Sequence, residues 1–397
     1  MAIQGLRDTT NFVADQRPKN WRETIMLLYP NGKAPLTALT TLMKSKSTDD
    51  PEYNWWEKLK PSQRLALNAS ITNVQTTLTV ASGGRGLGVG HILRIEQTEE
   101  LVRVTTAPAN DTTITISRGF AGTTATAVTL GAGINPNFHV VGTVFEEGSS
   151  APQGINYDPT KRFNYTEIFR NTLEMTRTAS KTRLRTGDAV KEAKRECLEL
   201  HSCEMEKAFF FGVRVETTIN SKPARMTGGL INFVDAGNVA TLSGGNLSMT
   251  ILEDHLEKMF RFGSTEKLGF CGNRAMLAIQ RAIRKNADYQ LMQGQKEFGM
   301  NVSRLVSPFG ELVLKTHPLF NELTSGSDYA AVDSWLIVVD QQELNYRYVD
   351  DTQYQAKLQD NGLDGLQSGY LTEAGLEVHF PTAHYILKNV SNGIVDA

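Results

Sequence analysis

Ile71-Thr72-Asn73-Val74 and Thr113-Ile114-Thr115-Ile116 decide how this chain is read. In both stretches apolar and polar side chains alternate with period two, the pattern of a strand with one face buried and one face in water. They lie in a block, roughly Ser70 to Val140, that has no lysine, few charges and many threonines and glycines. The chain on either side is charged and mixed. A compact β unit inserted into a loop of a larger α+β host accounts for that shift in composition. Insertions settle at exposed loop tips whose ends lie close together. The host loop is therefore expected to project, and a projecting, decorated loop suggests assembly more than catalysis.

Outward from the block, Tyr53–Leu59 (YNWWEKL) reads as one strand and Phe163–Ala179 (FNYTEIFRNTLEMTRTA) as its return, with a polar linker at Glu146–Pro159. The expected picture is a two-stranded arm, 51–67 and 141–180, carrying a β domain at 68–140. Residues 1–50 read as a second arm. Phe12, Trp21, Leu27, Leu28 and Tyr29 are scattered anchors, and Pro18, Pro30, Pro35 and Pro51 break any long helix. Such a segment has no core of its own and must lie on its own body or on a neighbour.

Downstream, a long helix is expected over 188–211, with Asp188 as N-cap and Gly212 as the C′ residue. Val190, Ala193, Cys197, Leu200, Ala208 and Phe211 fall near one stripe, and Lys194 is assigned to the opposite, solvated face. Gly228-Gly229-Leu230 marks a turn. A second helix is expected from a capping box at Thr250 and Glu253 to Gly263, with Leu252, Leu256, Met259 and Phe260 inward. A third opens at Asn273, with Met276, Ile279 and Ile283 inward and Arg284 and Lys285 at its negative end. Strands follow at 311–316, 335–339, 343–348, 376–380 and 384–388. Sparse helices on antiparallel strands give an α+β host.

At 397 residues, two-fifths of them apolar, the chain has enough material for two or three domains with a sizeable core. Its 41 basic and 43 acidic residues leave a formal charge of −2, unlike a protein built to grip nucleic acid. Cys197, Cys203 and Cys271 form no CxxC pair and read as small buried residues in a reducing compartment. The first residues lack the apolar segment of a signal peptide, and Trp335–Val339 is far too short to span a bilayer. A soluble, cytoplasmically made protein is expected, in which the sequons at Asn68 and Asn164 carry no meaning.

Candidate chemistry is thin. The run Gly83-Gly84-Arg85-Gly86-Leu87-Gly88-Val89-Gly90 lacks GxGxxG or GK[ST] spacing and leads into an alternating stretch, so it reads as β-turns and not a phosphate cradle. His91, His139, His201, His255, His317, His379 and His384 form no metal motif. A His379/His384 pair is the nearest to one, and structural histidine is the default. The acidic doublets Asp49-Asp50, Glu146-Glu147 and Asp350-Asp351 read as solvated linker acids, and Lys181, Arg183 and Arg185 as a solvated basic face or a subunit salt bridge. No catalytic, cofactor-binding or metal-ligating residue is assigned, and no cofactor is expected.

The order of parts resembles the HK97-type major capsid proteins of tailed bacteriophages. In those terms 1–50 is the N-arm, 51–67 and 141–180 the E-loop, 68–140 an inserted β domain, 181–249 and 351–397 the P domain with its spine helix, and 250–350 the A domain. Trp21–Pro35 (WRETIMLLYPNGKAP) and Thr227-Gly228-Gly229-Leu230 are similar to phage capsid sequence. Val89–Ile95, Glu100–Val104 and Thr115–Thr123 (TISRGFAGT) look like a small β module of phage virion proteins. The resemblance implies a non-enzymatic shell protein. It self-assembles into pentamers and hexamers of an icosahedral head around double-stranded DNA, is assembled in the host cytoplasm and resides in the virion capsid. Portal and scaffolding proteins are implied partners, and the inserted domain leaves open whether separate decoration proteins are needed; DNA contact is weak and membrane contact absent. The alternatives are an encapsulin-like nanocompartment shell, a tail or fibre adhesion protein, and an enzyme.

Overall fold

The structure, a computed structural model, describes residues 43–58, 62–131, 136–182, 187–284, 291–297, 300–321 and 331–394. Most of the expected N-arm lies outside the described residues, as do Arg183, Arg185 and Lys285. The chain divides into two units. One is 56–162, and the other joins residues up to 55 with 163–397.

Strands β1 (Lys44–Ser47) and β2 (Glu52–Glu57) lead to the first unit. There β3 (Arg64–Ala66), β4 (Thr77–Thr79), β5 (His91–Ile95), β6 (Leu101–Thr106), β7 (Thr113–Ser117) and β8 (Asn137–Thr143) form one sheet in the order β3-β8-β5-β6-β7-β4. An antiparallel bridge between Leu67 and Val80 joins the continuations of its first and last strands, so the sheet closes into a small barrel. Closure removes the open edges that invite aggregation. Leu78, Leu93, Ile95, Val102, Val104, Ile114 and Phe138 fill the interior. The sheet reaches beyond 68–140 at both ends, through β3 and the end of β8. Thr113–Ile116 lies in β7 as its alternation requires, but Ile71–Val74 is not a strand. Ile71 makes a single bridge to Val128, and the Thr72 carbonyl is taken by the Arg118 guanidinium at 2.6 Å, which turns the chain and leaves Val74 exposed.

The chain returns through β9 (Thr160–Tyr165), which pairs with β2. The expected single return strand is then broken at Thr166, whose amide goes to Pro51 O at 2.8 Å. Its continuation, β10 (Glu167–Thr176), belongs to the body. After a short helix α1 (Arg177–Lys181) comes α2 (Ala189–Phe211), 23 residues and roughly 35 Å long. Next are the hairpin β11 (Val215–Ile219) and β12 (Lys222–Met226), α3 (Leu230–Phe233), β13 (Val239–Thr241), β14 (Asn246–Leu247), α4 (Met249–Met259), β15 (Glu266–Cys271) and α5 (Asn273–Arg284). The chain ends with β16 (Leu291–Glu297), β17 (Met300–Ser307), β18 (Gly310–Thr316), β19 (Leu336–Val339), β20 (Leu344–Gln355), β21 (Gly365–Val378), β22 (Tyr385–Lys388) and β23 (Asn392–Gly393).

Two sheets carry the body. The first runs β1-β20-β21-β10, with β10 antiparallel to β21 over its whole length, from Glu167 opposite Ala374 to Thr176 opposite Gly365. Helix α2 packs on it through Cys197, Met205 and Phe209. The second runs β13-β22-β19-β15-β18-β17-β16 and is mixed, not antiparallel: β13 is parallel to β22 and β15 to β18. Leu252, Leu256 and Met259 of α4 and Ala278, Ile279 and Ala282 of α5 close its core against Leu314, Leu336 and Leu387. Strands from outside 250–350 therefore complete this sheet, while β20 belongs to the other one. Chain order alone does not mark where the sheets divide.

Three local expectations need correction. Helix α4 starts two residues early, because Ser248 caps it by accepting from the Ile251 amide at 3.3 Å. Gly212 does not adopt the left-handed cap conformation (φ −56°). It is glycine because a Cβ would lie 2.4 Å from Thr227 O and 2.5 Å from Ala208 O. The buried stripe of α2 is Cys197, His201, Met205, Ala208 and Phe209, whereas Leu200 is 61% exposed. Lys194 lies on the packed side, its Nζ 4.4 Å from the centre of the Tyr354 ring. Hydrophobicity hides the phase because the buried face carries His201 and Glu206. These polar groups can be buried only with hydrogen-bond partners from elsewhere in the chain.

Candidate assembly interface

The body is held by a few polar centres, each tying segments far apart in sequence. Asn164 is fully buried. Its amide donates to Leu376 O (2.6 Å), Gly228 O (3.0 Å) and Thr227 Oγ1 (3.2 Å), and its Oδ1 accepts from the Gly228 amide (2.8 Å). Tyr53 donates to the same Leu376 carbonyl at 2.8 Å. One asparagine so ties β9 and β21 to the Gly228 turn, and its sequon is structural. His201 of α2 bonds Asn171 Oδ1 of β10 and Thr372 Oγ1 of β21, both at 2.7 Å, and burial depresses its basicity. Further along α2, Glu206 meets His317 Nε2 at 3.1 Å in a fully buried pair whose imidazole stacks on Phe320 and meets Phe210 and Phe270 edge-on.

Lys267 lies on the buried face of β15. Its ammonium donates to Met259 O, Phe262 O and Ala383 O at 2.6–2.7 Å. Two of those carbonyls belong to the end of α4 and the turn after it, where a cation complements the helix dipole. Burial brings its pKa down to about 8, with Asp340 opposing. In the barrel, Glu100 and Arg118 make a bidentate pair at 2.7 Å, and Glu100 also accepts from the Gly119 and Thr126 amides. Burial works against ionisation of Glu100, but those bonds outweigh it and hold the carboxyl below its usual range. This is what the Ser117-Arg118-Gly119 stretch does: the guanidinium gathers the carbonyls of Thr72 and Thr126 around one carboxylate.

The residues singled out for chemistry are not brought together. The glycine run holds an anion of its own chain: Asp111 accepts from the amides of Gly83 (3.0 Å) and Arg85 (3.2 Å). Gly90, at φ +82°, is where Phe145 packs; a Cβ would sit 2.7 Å from its ring. His384 accepts from the Asp340 amide and donates to His379 O, so neither ring nitrogen is open to a metal, and burial pulls its pKa down to about 4. His379 bonds Glu377, which also pairs with Arg347. Among the described residues no group of three or more His, Cys, Asp or Glu could hold a metal ion. Glu146 and Glu147 are exposed, Asp50 caps the Glu52 amide, and Asp351 caps that of Thr352. None of the three cysteines is in a disulfide. No described helix is long and apolar enough to cross a membrane. Sequence reasoning missed Asn164, His201, Lys267 and the Glu100–Arg118 pair. For Lys267 the available signal is its place directly before the apolar run Leu268–Cys271, at the start of a strand.

What the body does present is apolar surface. In the β11–β12 hairpin, Asn220 and Ser221 both have positive φ (50° and 61°), the geometry of a two-residue turn that suits strand twist. The register pairs Val215 with Met226, Thr217 with Ala224 and Ile219 with Lys222 on one face, and Glu216 with Arg225 on the other. Val215, Ile219 and Met226 are exposed, as are Phe211 and Val213 just before them, and Leu198 and Leu200 on α2. A two-stranded ribbon is marginal alone in water, and apolar side chains exposed on such a ribbon are candidates for a contact site.

The profile of the SU10 major capsid protein family matches residues 5–391. A major capsid protein of Pseudomonas phage PaMx41 is 27% identical over 373 residues, 91% of this chain and 85% of that protein. Among solved structures, the capsid of Myoviridae phage XM1 superposes with a TM-score of 0.48 at 10% identity, over 96% of this chain and 99% of that one. The holo-SrpI encapsulin of Synechococcus elongatus PCC 7942 gives 0.43 at 13%, over 60% and 80%. The family match spans both units and nearly the whole sequence, and by it the chain belongs to the SU10 major capsid protein family.

Proposed function

We propose that this major capsid protein assembles into pentamers and hexamers of an icosahedral phage head enclosing double-stranded DNA, as a structural subunit without a catalytic step. The exposed apolar face of the β11–β12 hairpin carries the reading: it needs a cover, and in a ring of identical subunits each interface joins one patch to a different patch of the next copy. In HK97-type terms 1–50 acts as the N-arm, the paired strands β2 and β9 as the E-loop arms, and the barrel between them in the chain as an inserted domain. The sheet under α2 corresponds to the P domain and the mixed sheet with α4 and α5 to the A domain, in place of a division by chain order at 250 and 350. Portal and scaffolding proteins join the shell during assembly in the host cytoplasm. The near-neutral charge of −2 favours close subunit packing and only weak DNA contact.

The test is Ile219→Asp. Particle yield by electron microscopy should collapse while the melting temperature of the free subunit stays within error of the parent. Normal particles would sink the hairpin as an interface. A nanocompartment shell would be indicated instead if particles purified from the native source carried no nuclease-protected DNA.

A further inference from the structure

The link between β20 and β21 ends in an exposed turn in which the Leu363 amide donates to Asp360 O at 3.1 Å. Its two central residues are Asn361 and Gly362, both exposed. Gly362 has φ +99°, and a Cβ there would meet nothing within 4 Å, so this exposed glycine is not crowded by the rest of the chain. The bond across the turn is donated by Leu363 and not by Gly362.

We infer that Asn361 is a site of spontaneous covalent modification, deamidation through its own backbone. The Gly362 amide nitrogen bonds to the Asn361 side-chain carbonyl carbon, and the side-chain nitrogen leaves as ammonia, taking up the proton that the amide releases. The resulting five-membered imide is opened by water at either carbonyl. One opening gives aspartate and the other isoaspartate, in which the main chain runs through the former side chain. No oxidant, metal or second protein is needed. Glycine permits the attack because it has no side chain to crowd its nitrogen, and asparagine is among the thermolabile residues for this reason.

The chain supplies its own control. Asn392-Gly393 has the same dipeptide, but Gly393 is buried in the parallel pairing of β23 with β14, and a Cβ there would lie 2.3 Å from Ala278 O. The Asn392 side chain is also engaged, donating to Asn246 Oδ1 at 3.3 Å. Reaction at 392 requires that pairing to open first, whereas 361 reacts from the folded state. The new carboxylate at 361 sits between Asp360 and Asp364, the latter paired with Arg177 at 2.6 Å, and adds one negative charge to the end of the β20–β21 hairpin.

The full-length chain is incubated in mildly alkaline buffer, and peptides are followed by mass spectrometry with enzymatic isoaspartate labelling. The peptide containing Asn361 should convert, with isoaspartate among its products, at a rate within about tenfold of a synthetic peptide spanning 358–366. Asn392 should lag by about tenfold or more, since a protected site reacts only through local opening. Asn361→Gln should remove the signal from that peptide and leave the melting temperature unchanged. Persistence of intact Asn361 while the synthetic peptide converts would overturn the inference, as would conversion of Asn392 at an equal rate.

Discussion

The barrel and the body bury apolar surface by opposite routes along the chain. In the barrel, β5, β6 and β7 pair in sequence order, and the interior is almost purely aliphatic, with Glu100 as its buried carboxylate. In the body, β10 pairs with β21 nearly two hundred residues away. His201, Glu206, Lys267, His317 and His384 are buried among the apolar residues. A short-range, dry core can form from its own segment. A long-range, polar-studded core forms only when distant partners have arrived, because each buried polar group is costly until it is bonded.

The sharpest way to break this contrast is in the barrel. Arg118→Met leaves Glu100 buried without its cation and should cost about 3–5 kcal/mol, because removing one partner strands the other charge. The excised segment 62–146, with Arg118 intact, should melt cooperatively in calorimetry, and the same segment carrying Arg118→Met should not. A mutant segment that melts like the parent would mean the barrel does not depend on the buried Glu100–Arg118 pair.

The body's dependence on buried polar groups should show in its response to acid. His384 has a folded pKa near 4, against about 6.5 for an unfolded histidine. Between those values the unfolded chain binds the extra proton. The stability contributed by neutral His384 is therefore intact above about pH 6.5 and is lost as pH falls towards 4, by roughly 3 kcal/mol in all. His384→Gln should lower stability at neutral pH yet flatten the decline between pH 6.5 and 4. An unchanged slope in urea titrations of the free subunit would remove His384 from the account.

The smallest expected effect tests the phase of α2. Leu200→Ala should change subunit stability by less than about 0.5 kcal/mol, as at other exposed positions. Met205→Ala, five residues on and buried, should cost about 2–5 kcal/mol. Equal losses for the two would mean that the helix presents a different face to the sheet.

Much is legible where the physics is local. Alternation over Thr113–Ile116, the Asp188 cap, the extent of α2 and the start of α5 at Asn273 follow from side chains and their near neighbours. The capsid reading comes from the order of parts, which a sequence displays directly. Where the physics is remote the sequence is silent or misleading. Leu200 reads as inward because hydrophobicity is the only local guide to phase, while the true inner face carries His201, whose partners Asn171 and Thr372 come from two other strands. Ile71–Val74 reads as a strand because nothing local shows that Arg118 claims the Thr72 carbonyl. Periodicity and capping are written within a few residues of where they act. Which polar groups can be buried, and hence which face of a helix turns inward, is decided only when tertiary structure supplies the hydrogen bonds.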